Sequence, residues 1–84
     1  MLEIRWNALK NERLKKVRGV SFEEILDAKL VDVIKHPKRE HQVILVYEYK
    51  KYLWAVPGVL DGEVIFLKTL YPSRKLMKMY GDRL

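Results

Sequence analysis

The sequence predicts an α+β fold in the order β-α-α-β-β-β-β-α: an antiparallel sheet of about four strands plus a short N-terminal strand, with two N-terminal helices and one C-terminal helix. Three observations predict it. Residues 42–49 form an almost unbroken apolar run rich in β-branched and aromatic side chains, as a central strand does. Asp61-Gly62 is the strongest turn signal in the chain and suits a two-residue hairpin. Two serines placed to cap helices, Ser21 and Ser73, and two glycine stops, Gly19 and Gly81, frame helical segments near both ends.

Residues 2–6 alternate apolar and polar side chains like a short strand. Asn7 can cap a helix running to about Arg18, with Gly19 as its stop and Trp6, Leu9, Leu14 and Val17 as its inward stripe. Lys10 and Arg13 fall in the same arc, so their stems are expected to snorkel. Ser21-Phe-Glu-Glu24 reads as a capping box opening a short second helix to about residue 29, with Phe22, Ile25 and Leu26 buried. Residues 30–35 read as a strand and 36–41 as a charged loop. After residues 42–49, Lys50-Lys51 is the next hairpin turn and residues 52–60 the next strand. Pro57-Gly58 implies a bulge or a sheet edge within it. Residues 63–70 pair back, Tyr71-Pro-Ser73 breaks the strand, and Ser73 caps a last helix to about Tyr80. The helices are expected on one side of the sheet.

With 84 residues, 49% hydrophobic and 33% charged, residues 1–84 are expected to fold as one domain with a real core. No apolar run approaches the ~20 residues of a membrane span. The N-terminus lacks the layout of a secretory signal, so a soluble cytoplasmic protein is expected. The lack of cysteine excludes disulfides, thiol nucleophiles and cysteine-bound zinc. The net charge of +6 is not spread evenly. Residues 1–18 carry +4, 35–52 carry +3 and 68–84 carry +4, and the segments between them are acidic. A small basic domain points to polyanions, chiefly nucleic acid.

In the last helix, Arg74, Lys75 and Lys78 share one arc, and Leu76, Met77, Met79 and Tyr80 fill the opposite one. Arg74 and Lys75 stand in the first turn, where the helix dipole disfavours cations, and no acid offsets them there. Lys68 interrupts an apolar strand; the Asp61-Gly62 register sets it opposite Ala55, aimed at a phosphate beside Arg74 or snorkelling at the strand end. Tyr47, Tyr49, Tyr52 and Trp54 are either core or a stacking platform for bases. His36 and His41 lack a third ligand at any zinc spacing, so no metal and no cofactor is expected. The four glycines form no phosphate-binding loop, and no catalytic triad suggests itself.

Trp6, the helix after it and the run Arg18-Gly-Val-Ser-Phe-Glu-Glu24 resemble the opening of BrnT-type toxins of bacterial and archaeal toxin–antitoxin pairs. The tail from Lys68 to Tyr80 is similar to that family's closing strand, Ser-containing break and helix with an Arg/Lys pair and a tyrosine. Asn7 stands where the family usually has Asp, and Arg18 where it often has His. The resemblance implies a RelE-like fold and metal-independent cleavage of messenger RNA by attack of a ribose 2′-hydroxyl on the adjacent phosphate. It also implies a small antitoxin with a ribbon-helix-helix DNA-binding domain; the net charge of +6 calls for an acidic segment in that partner, and a symmetric DNA-binding domain would give a complex with two copies of each chain. On that reading Lys68, Arg74 and Tyr80 are the candidate catalytic residues, with His36 a further proton-transfer candidate. Lys16, Arg18, Lys35, His36, Lys75 and Lys78 are the candidates for RNA contact. The alternative is a small basic domain that binds nucleic acid or a partner without catalysis.

Overall fold

The computed structural model describes residues 2–83. Its elements are β1 (Glu3–Trp6), α1 (Ala8–Arg18), α2 (Phe22–Leu26), β2 (Lys29–Lys35), β3 (Gln42–Tyr49), β4 (Tyr52–Asp61), β5 (Val64–Leu67), β6 (Tyr71–Pro72) and α3 (Arg74–Tyr80), followed by a 3-10 turn over Gly81–Arg83. The order is the expected one with the two-residue β6 added. The strands form one sheet in the order β1-β5-β4-β3-β2. β1 runs parallel to β5, and the other neighbours are antiparallel. β6 pairs with β4 at Trp54–Pro72 and Ala55–Tyr71, on the edge that β5 has already left.

The helices cover both sides of the sheet, where the sequence predicts them on one. Side chains alternate along β3, so Val43, Leu45 and Tyr47 face one way and Ile44 and Val46 the other. Leu14 of α1 and Phe22 and Ile25 of α2 pack on the first face with Val43, Leu45, Val56, Ile65 and Leu67. Leu76 of α3 covers Val46, Leu53 and Ala55 on the second, with Met77 and Tyr80 beside it. A sheet whose central strands are apolar on both faces needs cover on both.

Asn7 accepts from the Lys10 amide to open α1, and Gly19 closes it at φ +77. The inward stripe differs from the expected one. Leu14 is buried, but Leu9 and Val17 are 76% and 73% exposed, and the half-buried positions are Lys10 and Asn11. Asn11 explains the rotation. Its Oδ1 accepts from the Phe22 amide at 2.7 Å and its Nδ2 donates to Glu23, tying α1 to the start of α2. Turning Asn11 toward α2 turns Leu9 and Val17 to solvent.

The capping box is present: Ser21 Oγ accepts from the Glu24 amide, and Glu24 Oε1 accepts from the Ser21 amide. Lys15 Nζ donates to the same oxygen at 2.7 Å. Lys15 first, then the Ser21 amide and hydroxyl, hold the Glu24 carboxyl down to about 2 from its ordinary 4.5. A carboxyl whose folded value is depressed stabilises the fold above its unfolded value and loses that contribution as pH falls. The melting temperature is therefore expected to fall between about pH 4.5 and pH 2, and Glu24→Gln to flatten that part of the profile.

Lys50 and Lys51 both adopt positive φ, +50 and +64, the geometry that a two-residue turn between twisted strands requires. The following hairpin turns one residue later than the sequence suggested. Asp61 pairs with Val64, so the loop is Gly62-Glu63, with Gly62 at φ +61. That slip moves β5 by two positions along β4. Lys68 thus lies opposite Pro57 rather than Ala55: its amide donates to the Pro57 carbonyl at 2.8 Å, just past the end of β5. Pro57 stands where β5 has ended and β6 has not begun, so its missing amide hydrogen costs the sheet no bond there.

Candidate functional site

The α3 face of the sheet is only partly covered. α3 spans the strands from β6 to β2, and the end of the sheet beyond it is open as two adjoining hollows. The first, of about 240 Å³, has a floor of Ile44, Pro57 and Val59 and a rim of His36, Gln42 and Lys68. The second, of about 230 Å³, lies against α3 between Ile34, Ala55, Tyr71, Lys75 and Met79, and Ile44 belongs to both.

Chain geometry fixes each rim residue. Lys68 leaves β5 on the side of Phe66, and its Nζ stands 5.0 Å from the centre of that ring, a cation–π contact that restrains an exposed side chain. His36 leaves β2 with its amide donating to the Gln42 carbonyl. Its Nδ1 accepts from the amides of Lys38 and Arg39, both at 3.1 Å, and so caps the loop as an asparagine side chain would. An accepting Nδ1 assigns the ring hydrogen of the neutral imidazole to Nε2, which is left as a donor. Among the described residues, none lining either hollow is acidic. Apolar floors under a cationic rim suit a phosphate with a base attached to it. Of two broad hollows beside α1 and α2, one is lined by Glu23, Glu24 and Asp27 and has the wrong sign for that ligand, and the other sets Lys15 and Lys16 against Glu12 and Glu23.

The residues singled out in the sequence do not all meet here. Lys68 and His36 line one hollow and Lys75 the next. Arg74 and Lys78 are exposed on α3 and line neither hollow. The Tyr80 phenol donates to Asp32 of β2 at 2.8 Å, tying the far end of α3 to the sheet. Lys16 and Arg18 belong to α1, on the opposite face, and Lys35 pairs with Val43, whose side chain faces the α1/α2 core. Ser73 Oγ accepts from the Leu76 amide and its own amide donates to Leu53, so those groups are already engaged. Tyr47, Tyr49 and Trp54 pack in the core on the α1/α2 face. Tyr47 is buried, and Tyr49 and Trp54 meet edge-to-face at 6.2 Å on the α1/α2 face. Tyr71, which reads in the sequence only as part of a strand break, is the aromatic side chain lining the second hollow.

The fold is similar to that of the Brucella abortus ribonuclease toxin BrnT, with a TM-score of 0.57 and 18% sequence identity, over 87% of this chain and 97% of that one. It is the fold that the resemblance in the sequence implied. No protein-family model matches the sequence. No match is found among curated proteins.

Proposed function

We propose that this chain is the toxin of a toxin–antitoxin pair and cuts RNA at the hollow rimmed by Lys68 and His36. The observation that carries the reading is the Lys68 cation and the His36 Nε2 donor on the rim of an apolar floor, on a fold shared with a ribonuclease toxin. The ribose 2′-oxygen attacks the adjacent phosphorus, the bond to the 5′-oxygen breaks, and a 2′,3′-cyclic phosphate remains. Negative charge grows on the phosphorane oxygens, where a cation already in place stabilises the transition state most. Lys68 supplies that cation and passes a proton to the departing 5′-oxygen, while the 2′-hydroxyl proton leaves to water. His36 Nε2–H donates to a phosphate oxygen and holds it in line. Arg74, Lys75 and Lys78 follow the RNA backbone along α3 as point charges.

Tyr80 serves α3 rather than the phosphate in this scheme. Tyr80→Phe is expected to lower stability by about 1–2 kcal/mol, the worth of a hydrogen bond to a carboxylate, in urea unfolding. A cutting rate that collapses in a variant still folded would instead make Tyr80 a proton donor.

The antitoxin offers an acidic segment that closes the same groove, because net +6 attracts a complementary surface. The test is induced expression in a heterologous bacterium, alone and together with any short open reading frame found directly beside this chain's gene. Growth arrest with degraded messenger RNA, relieved by that neighbour, is the expected result. Healthy growth with intact messenger RNA favours a module that binds nucleic acid without cutting it.

A further inference from the structure

The cleavage scheme uses only one of the two hollows on the α3 face. The other has the features of a base site. Its floor is apolar, from Ile34, Ile44 and Ala55, and its walls are the Tyr71 ring and the Met79 side chain. At about 230 Å³ it falls below the ~300–1,000 Å³ of pockets that enclose drug-sized ligands, and suits one planar ring system. Met79 is 51% exposed although it lies on the same arc as the buried Leu76, so the core does not consume it. A polarizable thioether and an aromatic ring make favourable walls for a flat, polarizable guest. Lys75 stands at the mouth, and the shared residue Ile44 sets this hollow directly beside that of Lys68 and His36.

We propose that the hollow between Tyr71 and Met79 seats one unpaired RNA base next to the phosphate held at Lys68. The inference rests on the RNA-cleaving reading above and adds its substrate class: single-stranded RNA, since a paired base presents no free face to the hollow. Charge decides the occupant. A cationic mouth without an acid in the lining favours a nucleotide over a basic or neutral side chain. Polar groups in the lining are few, and the Ser73 hydroxyl already accepts from the Leu76 amide. The site therefore ranks bases by stacking and selects no strict sequence.

The test measures binding of the full chain to a short single-stranded RNA carrying 2′-O-methyl groups throughout, which removes the attacking hydroxyl. A set of such RNAs, each with one base deleted to leave an abasic sugar, is titrated by fluorescence anisotropy. Deletion at one position is expected to weaken binding by roughly 5- to 100-fold, the range that stacking supplies, with little change elsewhere. Met79→Ala, at an exposed position that leaves the fold intact, is expected to shrink that loss, and Ile34→Trp, which fills the hollow, to abolish it. Tight binding with a flat abasic scan overturns the base seat and leaves RNA cleavage standing. A position-specific loss that neither variant alters puts the base elsewhere and also overturns it. Failure to bind any RNA overturns the base seat and the proposed function together.

Discussion

Lys68→Ala is expected to slow RNA cleavage by about 100-fold while leaving the fold intact, because it removes the cation that meets the phosphorane charge. The side chain is exposed and its contact is with the Phe66 ring, so the variant loses little packing. Lys68→Arg separates the two roles given to this residue. A guanidinium keeps the charge and binds phosphate, but it does not release a proton. RNA affinity is therefore expected to recover in the arginine variant while the cutting rate stays low. Equal recovery of both would leave Lys68 a charge alone and move proton transfer to another group or to water.

Phe22→Ala is expected to have the largest effect on stability, about 3–5 kcal/mol, with the midpoint of urea unfolding as the readout. Phe22 is fully buried, lies 5.7 Å ring to ring from Trp6, and is the first residue of α2. A chain of this length has roughly 4–13 kcal/mol of total stability, so the loss removes a large share of it. A variant that unfolds near the wild-type midpoint would mean that the cluster under α1 and α2 repacks around the gap.

Much of the fold is legible in the sequence because its signals are local. Asn7, Gly19, Ser21 with Glu24, and Ser73 each act within a few residues, and the structure has them capping or closing the helices as expected. The apolar run of β3 identified a central strand from composition alone. The same run also held the information that the sheet is covered on both faces, since a strand with one wet face alternates. What escaped were matters of register and of pairing at a distance. A two-residue hairpin beginning at Gly62 instead of Asp61 satisfies the same turn chemistry, yet it moves Lys68 from Ala55 to Pro57 and out of the strand. The rotation of α1 depends on Asn11 reaching the Phe22 amide, a contact across eleven residues that no periodicity encodes.

The site was legible in its charges and not in its shape. Lys68 stands out in the sequence as a cation in an apolar strand and His36 as a candidate that the family resemblance implies, and the structure brings them to one hollow. Their floor of Ile44, Pro57 and Val59 comes from two strands whose register had to be known first. Arg74 and Lys75 carry the same sequence signal, a cation at a helix start, and only the placement of α3 shows that Lys75 lines a hollow and Arg74 does not. A signal for Tyr71 existed in its neighbour: a proline beside strand residues points to a sheet edge, where its missing amide costs no ladder bond.

The most direct test of RNA cleavage by this chain is the product of one incubation. Purified protein is mixed with single-stranded RNA in excess chelator, beside the same RNA carrying a single 2′-deoxy sugar at the cut position. Cleavage of the all-ribose strand to a 2′,3′-cyclic phosphate and a 5′-hydroxyl end is predicted, with the deoxy strand uncut and the Lys68→Ala protein slow on the all-ribose one. RNA that binds yet stays intact, or a deoxy strand cut as fast as the ribose one, would contradict the account.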